Sequence, residues 1–165
     1  MASPVLASPA VERVRAALAR AGLAPDIVEL PGAARTARAA AEFLGCEVAQ
    51  IANSLVFRAV ESGRGVLIMS SGARRVDTGK LAALVGEPIV KADADFVRTA
   101  TGFAIGGVAP VGHLGELLRF VEGSLAAYAV IWAAAGHPNT VFRLTFDELL
   151  RVTAGRVADV AVPPS

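Results

Sequence analysis

The 165-residue chain reads as an α/β (α+β) protein with a mixed, largely antiparallel sheet and helices packed around it. Two observations predict this. Helical and strand patterns interleave along the whole chain, which calls for a sheet covered by helices. The hairpin-like turn at 61–65 and the strand–turn–strand at 129–144 call for antiparallel pairing rather than a doubly wound parallel sheet.

The elements follow in order. Ser8 caps a first helix, Pro9 suits its first turn and Glu12 completes a capping box. Val11, Val14, Leu18 and Ala21 recur at helical spacing, and Gly22 ends it. Ile27–Leu30 is a short strand stopped by Pro31-Gly32. Thr36 caps a second helix to Leu44, ended by Gly45. Ser54–Val60 and Val66–Ser70 are strands flanking the 61–65 turn. Asp77 or Thr78 starts a third helix, running to Val85. Ile89-Val90 is a short strand, and Asp93 caps a fourth helix to about Thr99. Gly115–Val121 fits helix or strand equally, and Ala129–Ala133 is a strong strand. After a turn at 136–139, Thr140–Leu144 alternates as a strand. Thr145 caps a last helix over Phe146–Val152, with Asp147 and Glu148 in its first turn. Val157–Val162 is a candidate terminal strand. No repeat or linker interrupts the pattern, so one domain over 1–165 is expected, with loose tails at 1–7 and 163–165.

Composition narrows the function. The longest strongly apolar piece, 126–136, is too short for a membrane helix, and the first residues lack the basic and apolar regions of a signal peptide. A single cysteine, Cys46, excludes an internal disulfide and fits a cytoplasmic location. One cysteine and two distant histidines make a metal site unexpected. A net charge of +1 leaves room only for local contact with nucleic acid. Arg35, Arg38, Arg58, Arg64, Arg74, Arg75, Lys80 and Lys91 form either one such patch or ordinary solvated charge.

The stretch most suggestive of a site is Thr101-Gly-Phe-Ala-Ile-Gly-Gly-Val-Ala-Pro-Val-Gly-His113. Four glycines and one proline sit in thirteen otherwise largely apolar residues. Such a segment is either a structural turn or a shaped loop that brings backbone close to a ligand. Its glycines do not match a dinucleotide fingerprint, and the chain carries no phosphate loop or Gly-x-Ser-x-Gly. No nucleophile–base pair is evident. Cys46 reads as structural; His113 is a base, a positioned donor or a surface residue; His137 belongs to a turn. Ser70 and Ser71 end a buried strand, where they bind a ligand or start a turn. Asn53, where an apolar strand begins, offers both a donor and an acceptor to a ligand or to nearby backbone.

Four stretches together resemble the YbaK/EbsC-type aminoacyl-tRNA deacylases, relatives of the editing domain inserted in bacterial prolyl-tRNA synthetases. They are Thr36–Gly45 with Gln50–Phe57; Val66–Ser71 with Arg75–Leu81; the glycine-rich stretch, whose Gly106–Pro110 matches the family's Gly-x-x-x-Pro; and Ala134–Phe142. The likeness spans roughly 8–160 and implies a YbaK-like fold. It also implies hydrolysis of the ester between a wrong, small amino acid and the terminal ribose of a tRNA(Pro)-type substrate. The resemblance assigns Asn53, Gly106 and Gly107 to the reaction. It assigns Thr36, Ser70, Ser71, Gly102, Phe103, Ile105, Val108, Ala109, Pro110, His113, His137 and Asn139 to substrate binding. Backbone N–H groups of the 106–110 loop would hold the ester carbonyl, whose oxygen gains charge on attack. The implied partners are the 3′ end of an aminoacylated tRNA and, as an option, an aminoacyl-tRNA synthetase; no cofactor, metal or membrane is implied, and the oligomeric state stays open. One departure stands out: many relatives carry lysine where this chain has Asn53. A neutral amide does not replace an ammonium. The alternative is therefore a non-catalytic aminoacyl- or nucleotide-binding module that has lost the lysine-dependent activity.

Overall fold

The computed structural model describes residues 3–163. Helix starts follow their caps, except that Glu12 lies one residue past the third helical position, closes no box with Ser8 and pairs with Arg15 instead. Helix α1 is Pro9–Arg20, with the Ser8 side chain accepting from the Val11 N–H. Helix α2, Ala37–Leu44, is capped by Thr36 and ends at a left-handed Gly45. Helices α3, Thr78–Val85, and α4, Ala94–Thr101, are capped by Asp77 and Asp93. Helix α5, Phe146–Thr153, carries a full capping box between Thr145 and Glu148.

Two sheets form. The larger has strand order β4 (Ile89–Lys91), β2 (Ala52–Ala59), β3 (Gly65–Ser71), β5 (Leu117–Glu122), β8 (Arg156–Ala158). The smaller has order β1 (Val28–Glu29), β7 (Thr140–Leu144), β6 (Ile131–Ala134). Four pairings are antiparallel, and β3–β5 and β5–β8 are parallel. The mixed, largely antiparallel arrangement is the expected one, now divided between two sheets.

Strand β3 is buried along its whole length. Leu67 and Met69 face a core shared with Val14, Leu18, Phe103, Val121, Ile131, Phe142 and Leu149. Val66 and Ile68 face a second core with Phe57, Leu81, Phe120 and Val160. A strand covered on both faces has no polar side, which is why it reads as a continuous apolar run. A third cluster, Leu30, Ala34, Ala40, Ala41, Ile51 and Val141, lies under the thin alanine face of α2.

Several boundaries differ from the sequence reading. The ambiguous 115–121 segment is a strand, because β3 offers it a fully buried parallel partner. The strand expected at Ala129–Ala133 starts two residues later, at Ile131, after a 3-10 turn over Gly123–Ala127 set by the Glu122 carboxylate accepting from the Ser124 N–H. Strand β2 begins two residues early, so Asn53 is inside the ladder opposite Ser70. The terminal strand shortens to β8, although Ala161 still bridges to Val76. Residues 1–2 and 164–165 of the expected tails lie outside the described residues. Ser3 is tied by its hydroxyl to the Glu29 carboxylate. No described helix is long and apolar enough to cross a membrane.

Candidate functional site

The glycine-rich loop has two sides. It leaves α4 at Gly102, and Gly102, Gly106 and Gly112 all hold left-handed φ, between 79° and 89°. Phe103, Val108, Ala109, Pro110 and Val111 are buried, while Ile105 at the tip is 55% exposed. The tip thus faces outward and the remainder turns into the body.

Two cavities meet beside that tip. One is a small chamber of about 50 Å³, lined by Ala34, Ala40, Ile51, Trp132, Thr140 and Val141. The other is an open cleft of about 710 Å³, bordered by Leu55, Phe57, Val97, Ile105, Arg38 and Lys91. Arg35, Thr36, Ala37, Asn53, Ser54, Gly106 and Val108 line both, and so form the throat between them. No Asp or Glu lines either cavity, and Arg35, Arg38 and Lys91 are in no ion pair among the described residues. The combined space is therefore electropositive on one side and apolar on the other.

Throat groups remain available for a ligand. The Asn53 carboxamide has no hydrogen-bond partner among the described residues. Thr36 Oγ1 accepts from the Ala39 N–H at 3.1 Å, which leaves its own hydrogen free to donate. The N–H of Gly107 donates to Ala104 O at 2.9 Å and is not free to hold a carbonyl, contrary to its expected part. Gly107 has a packing role instead: a Cβ there would lie 2.9 Å from His137 Cα. The N–H groups of Gly106 and Val108 have no acceptor among the described residues.

Of the residues expected at the site, Thr36, Asn53, Ile105, Gly106 and Val108 come together. The others lie elsewhere. Gly102, Phe103, Ala109, Pro110 and His113 form the inner side of the loop. Ser70 and Ser71 are buried, and Ser71 Oγ donates to Ala49 O at 2.8 Å. His137 and Asn139 shape their turn, with the Asn139 N–H donating to His137 Nδ1 at 3.0 Å, while the neighbouring Pro138 and Thr140 reach the chamber. Sequence reasoning passed over Ser54, Trp132, Pro138 and Thr140, and counted Arg35, Arg38 and Lys91 only as general charge. The one available signal was that Arg35 and Arg38 flank the helix cap Thr36.

Among the described residues the titratable groups form no catalytic pair. Burial pushes His113 down to about 4; its bond to Ala109 O opposes this, and the charges of Arg119 and Arg13 add to it. The ring is neutral at pH 7, and donation from Nε2 to Ala109 O, 2.7 Å away, fixes the tautomer. Burial also pushes the Cys46 thiol up, which disfavours the thiolate a nucleophile needs. Among the described residues no group of three or more His, Cys, Asp or Glu could hold a metal ion.

Comparison with known proteins places this geometry. Residues 32–152 match the family model of the aminoacyl-tRNA editing domain. An uncharacterised Bacillus subtilis (strain 168) protein, YwhH, is 30% identical over 132 residues, covering 80% of this chain and 83% of its own. A crystal structure described as a proposed trans-editing enzyme for prolyl tRNA synthetase is 45% identical, with a TM-score of 0.88, covering 94% of this chain and 99% of that one. The hypothetical protein APE2540 is 25% identical with a TM-score of 0.84, covering 91% of this chain and 99% of that one.

Proposed function

The chain belongs to the aminoacyl-tRNA editing domain family, and from that premise we propose that it is a deacylase, one domain over 1–165, that hydrolyses the ester of a mischarged tRNA. One observation carries this reading: a small apolar chamber and an open cationic cleft join at a throat lined by Asn53, Gly106 and Val108. An aminoacyl ester has the matching parts, namely a side chain, a carbonyl and a ribose followed by phosphates.

In this reading the amino-acid side chain enters the chamber, whose roughly 50 Å³ admits only a small group. The ester carbonyl lies at the throat. Water attacks its carbon, the oxygen gains negative charge, and the N–H groups of Gly106 and Val108 receive it. Preformed donors of this kind are each worth about 10²–10³ in rate. The carbon–oxygen bond to the ribose then breaks, and the proton lost by the water ends on the ribose oxygen. The neighbouring ribose hydroxyl of the substrate relays that proton, since no throat side chain is a base. Asn53 holds the ester or ribose by its amide, and Arg35, Arg38 and Lys91 meet the phosphates of the 3′ end. Similarity to the proposed trans-editing enzyme favours a tRNA(Pro)-type substrate and a cytoplasmic setting with a synthetase nearby.

The test is a panel of Ala-, Cys-, Ser- and Pro-tRNA incubated with purified protein. Release of a small amino acid faster than in buffer is expected; no release above buffer from any of the four overturns the reading. The neutral Asn53 at the throat favours a second reading, a non-catalytic binding module. Wild-type turnover that Asn53→Ala sharply lowers in a folded protein would exclude it.

A further inference from the structure

The loop that carries Gly106 and Val108 is fastened by a residue from the other end of the chain. Arg13, on α1, donates through Nη2 to Gly102 O at 2.9 Å and through Nε to Gly112 O at 2.7 Å. Its guanidinium carbon lies 4.5 Å above the Phe103 ring centroid. One planar group thus ties the first and last glycine of the 102–112 segment and presses on the aromatic ring between them. Both glycines are left-handed, at 79° and 80°. At Gly102 a Cβ would stand 2.7 Å from Arg13 Nη2, so the close approach needs glycine there. Nε–H and Nη2–H form one rigid edge of the guanidinium, a fork that a lysine ammonium does not reproduce.

The same helix backs the turn that carries Pro138 to the chamber. A Cβ on Gly136 would lie 3.0 Å from Ala10 O, so the 136–139 turn rests directly on α1. Gly107 in turn rests on the His137 backbone. Helix α1 touches neither cavity, yet the loop that brings Gly106 and Val108 to the throat and the turn that brings Pro138 to the chamber are both referenced to it. Arg13 is in no ion pair among the described residues. Two of its donors, on Nε and Nη2, are committed to loop carbonyls.

We propose that Arg13 is a positioning residue for hydrolysis: by clamping Gly102 and Gly112 it sets where the N–H groups of Gly106 and Val108 stand, without touching the substrate. This rests on the deacylase reading above. Oxyanion donors work only when preset, and a displacement of about 1 Å costs on the order of 10²-fold in rate. The clamp acts on the transition state and leaves the cationic cleft intact, so it governs kcat and not KM.

Deacylation kinetics on Arg13→Met and Arg13→Lys, per folded molecule, test the proposal, together with amide exchange on the same variants. Arg13→Met is expected to lower kcat about 10²-fold with KM within about twofold of wild type. Arg13→Lys is expected to fall between the two, and millimolar guanidinium to restore part of the activity of Arg13→Ala. The Gly107 amide, bonded to Ala104 O, is expected to exchange at least about tenfold faster in Arg13→Met while Leu67 and Met69 of β3 keep their protection. Unchanged kcat per folded molecule overturns the inference while the deacylase reading stands. If the wild type has no deacylase activity, that reading fails and the exchange arm decides: unchanged protection at Gly107 overturns the clamp, and selective loss supports it. Should Arg13→Met not fold, Arg13→Lys decides in its place, and wild-type kcat in that variant overturns the proposal.

Discussion

Gly107 stands against the backbone of His137 so closely that a Cβ on it would lie 2.9 Å from His137 Cα and 3.0 Å from both His137 N and C. All three atoms are main chain and have no rotamer by which to retreat. Gly107→Ala is therefore expected to destabilise the fold by roughly 1–3 kcal/mol, the usual cost of overpacking. It should also lower kcat more than it raises KM, because the loop that carries Gly106 and Val108 is forced away from the turn it rests on. Urea denaturation and steady-state kinetics on one variant measure both.

Asn53→Ala separates binding from folding. The carboxamide has no partner among the described residues and lines both cavities. Its loss is expected to leave the melting temperature within about 2 °C, as for a surface substitution of under ~0.5 kcal/mol. Deacylation should fall by roughly 10–100-fold, the scale of one or two lost hydrogen bonds to a substrate. Thermal melts beside single-turnover hydrolysis check the pair of outcomes.

His113 makes folding sensitive to acid. Its folded value is depressed to about 4 from an ordinary 6.5. Between those pH values the unfolded chain binds the proton and the folded chain does not. Stability from this group is thus complete above about pH 6.5 and is lost as pH falls toward 4, to a total of about 3 kcal/mol. His113→Gln keeps a donor for Ala109 O and removes the titration. The loss of stability between pH 7 and pH 5 should be smaller in that variant by about 2 kcal/mol, read from denaturant midpoints.

Arg35 and Arg38 should control salt dependence. Both border the cleft without an acidic partner. For single-stranded nucleic acid, each phosphate neutralised adds about 0.7 to the slope of log K against log salt. Arg35→Ala and Arg38→Ala are each expected to reduce that slope by about 0.7, with little change in kcat at saturating substrate. Binding of uncharged tRNA across a range of potassium chloride measures it.

The helices were legible because each start carries its own chemistry: Ser8, Thr36, Asp77, Asp93 and Thr145 all cap as their side chains suggest. Strand β5 was not, because a strand feeding a parallel partner needs no alternation and no turn beside it. The glycine-rich loop was visible, but the direction each residue takes was not. Ile105 and Gly106 face the cavities while Phe103 and His113 face inward, and the segment is held at Gly102 and Gly112 by Arg13, about 90 residues earlier in the chain. The part played by Lys91 was hidden for a similar reason. It joins Arg38 at one cleft only after β4 pairs with β2, a contact that local pattern does not encode.

The separation between Arg13 and its two carbonyl partners is 89 and 99 residues. During synthesis at about 5–20 residues per second, α1 leaves the ribosome roughly 5–20 s before Gly112 follows it. Over that interval the guanidinium has nothing to clamp, and the throat does not exist. Helix α1, of 12 residues, is marginal by itself, and the loop acquires its shape only after most of the chain has emerged. Nascent chains truncated before this loop would be inert toward a charged tRNA however well their first helices had folded.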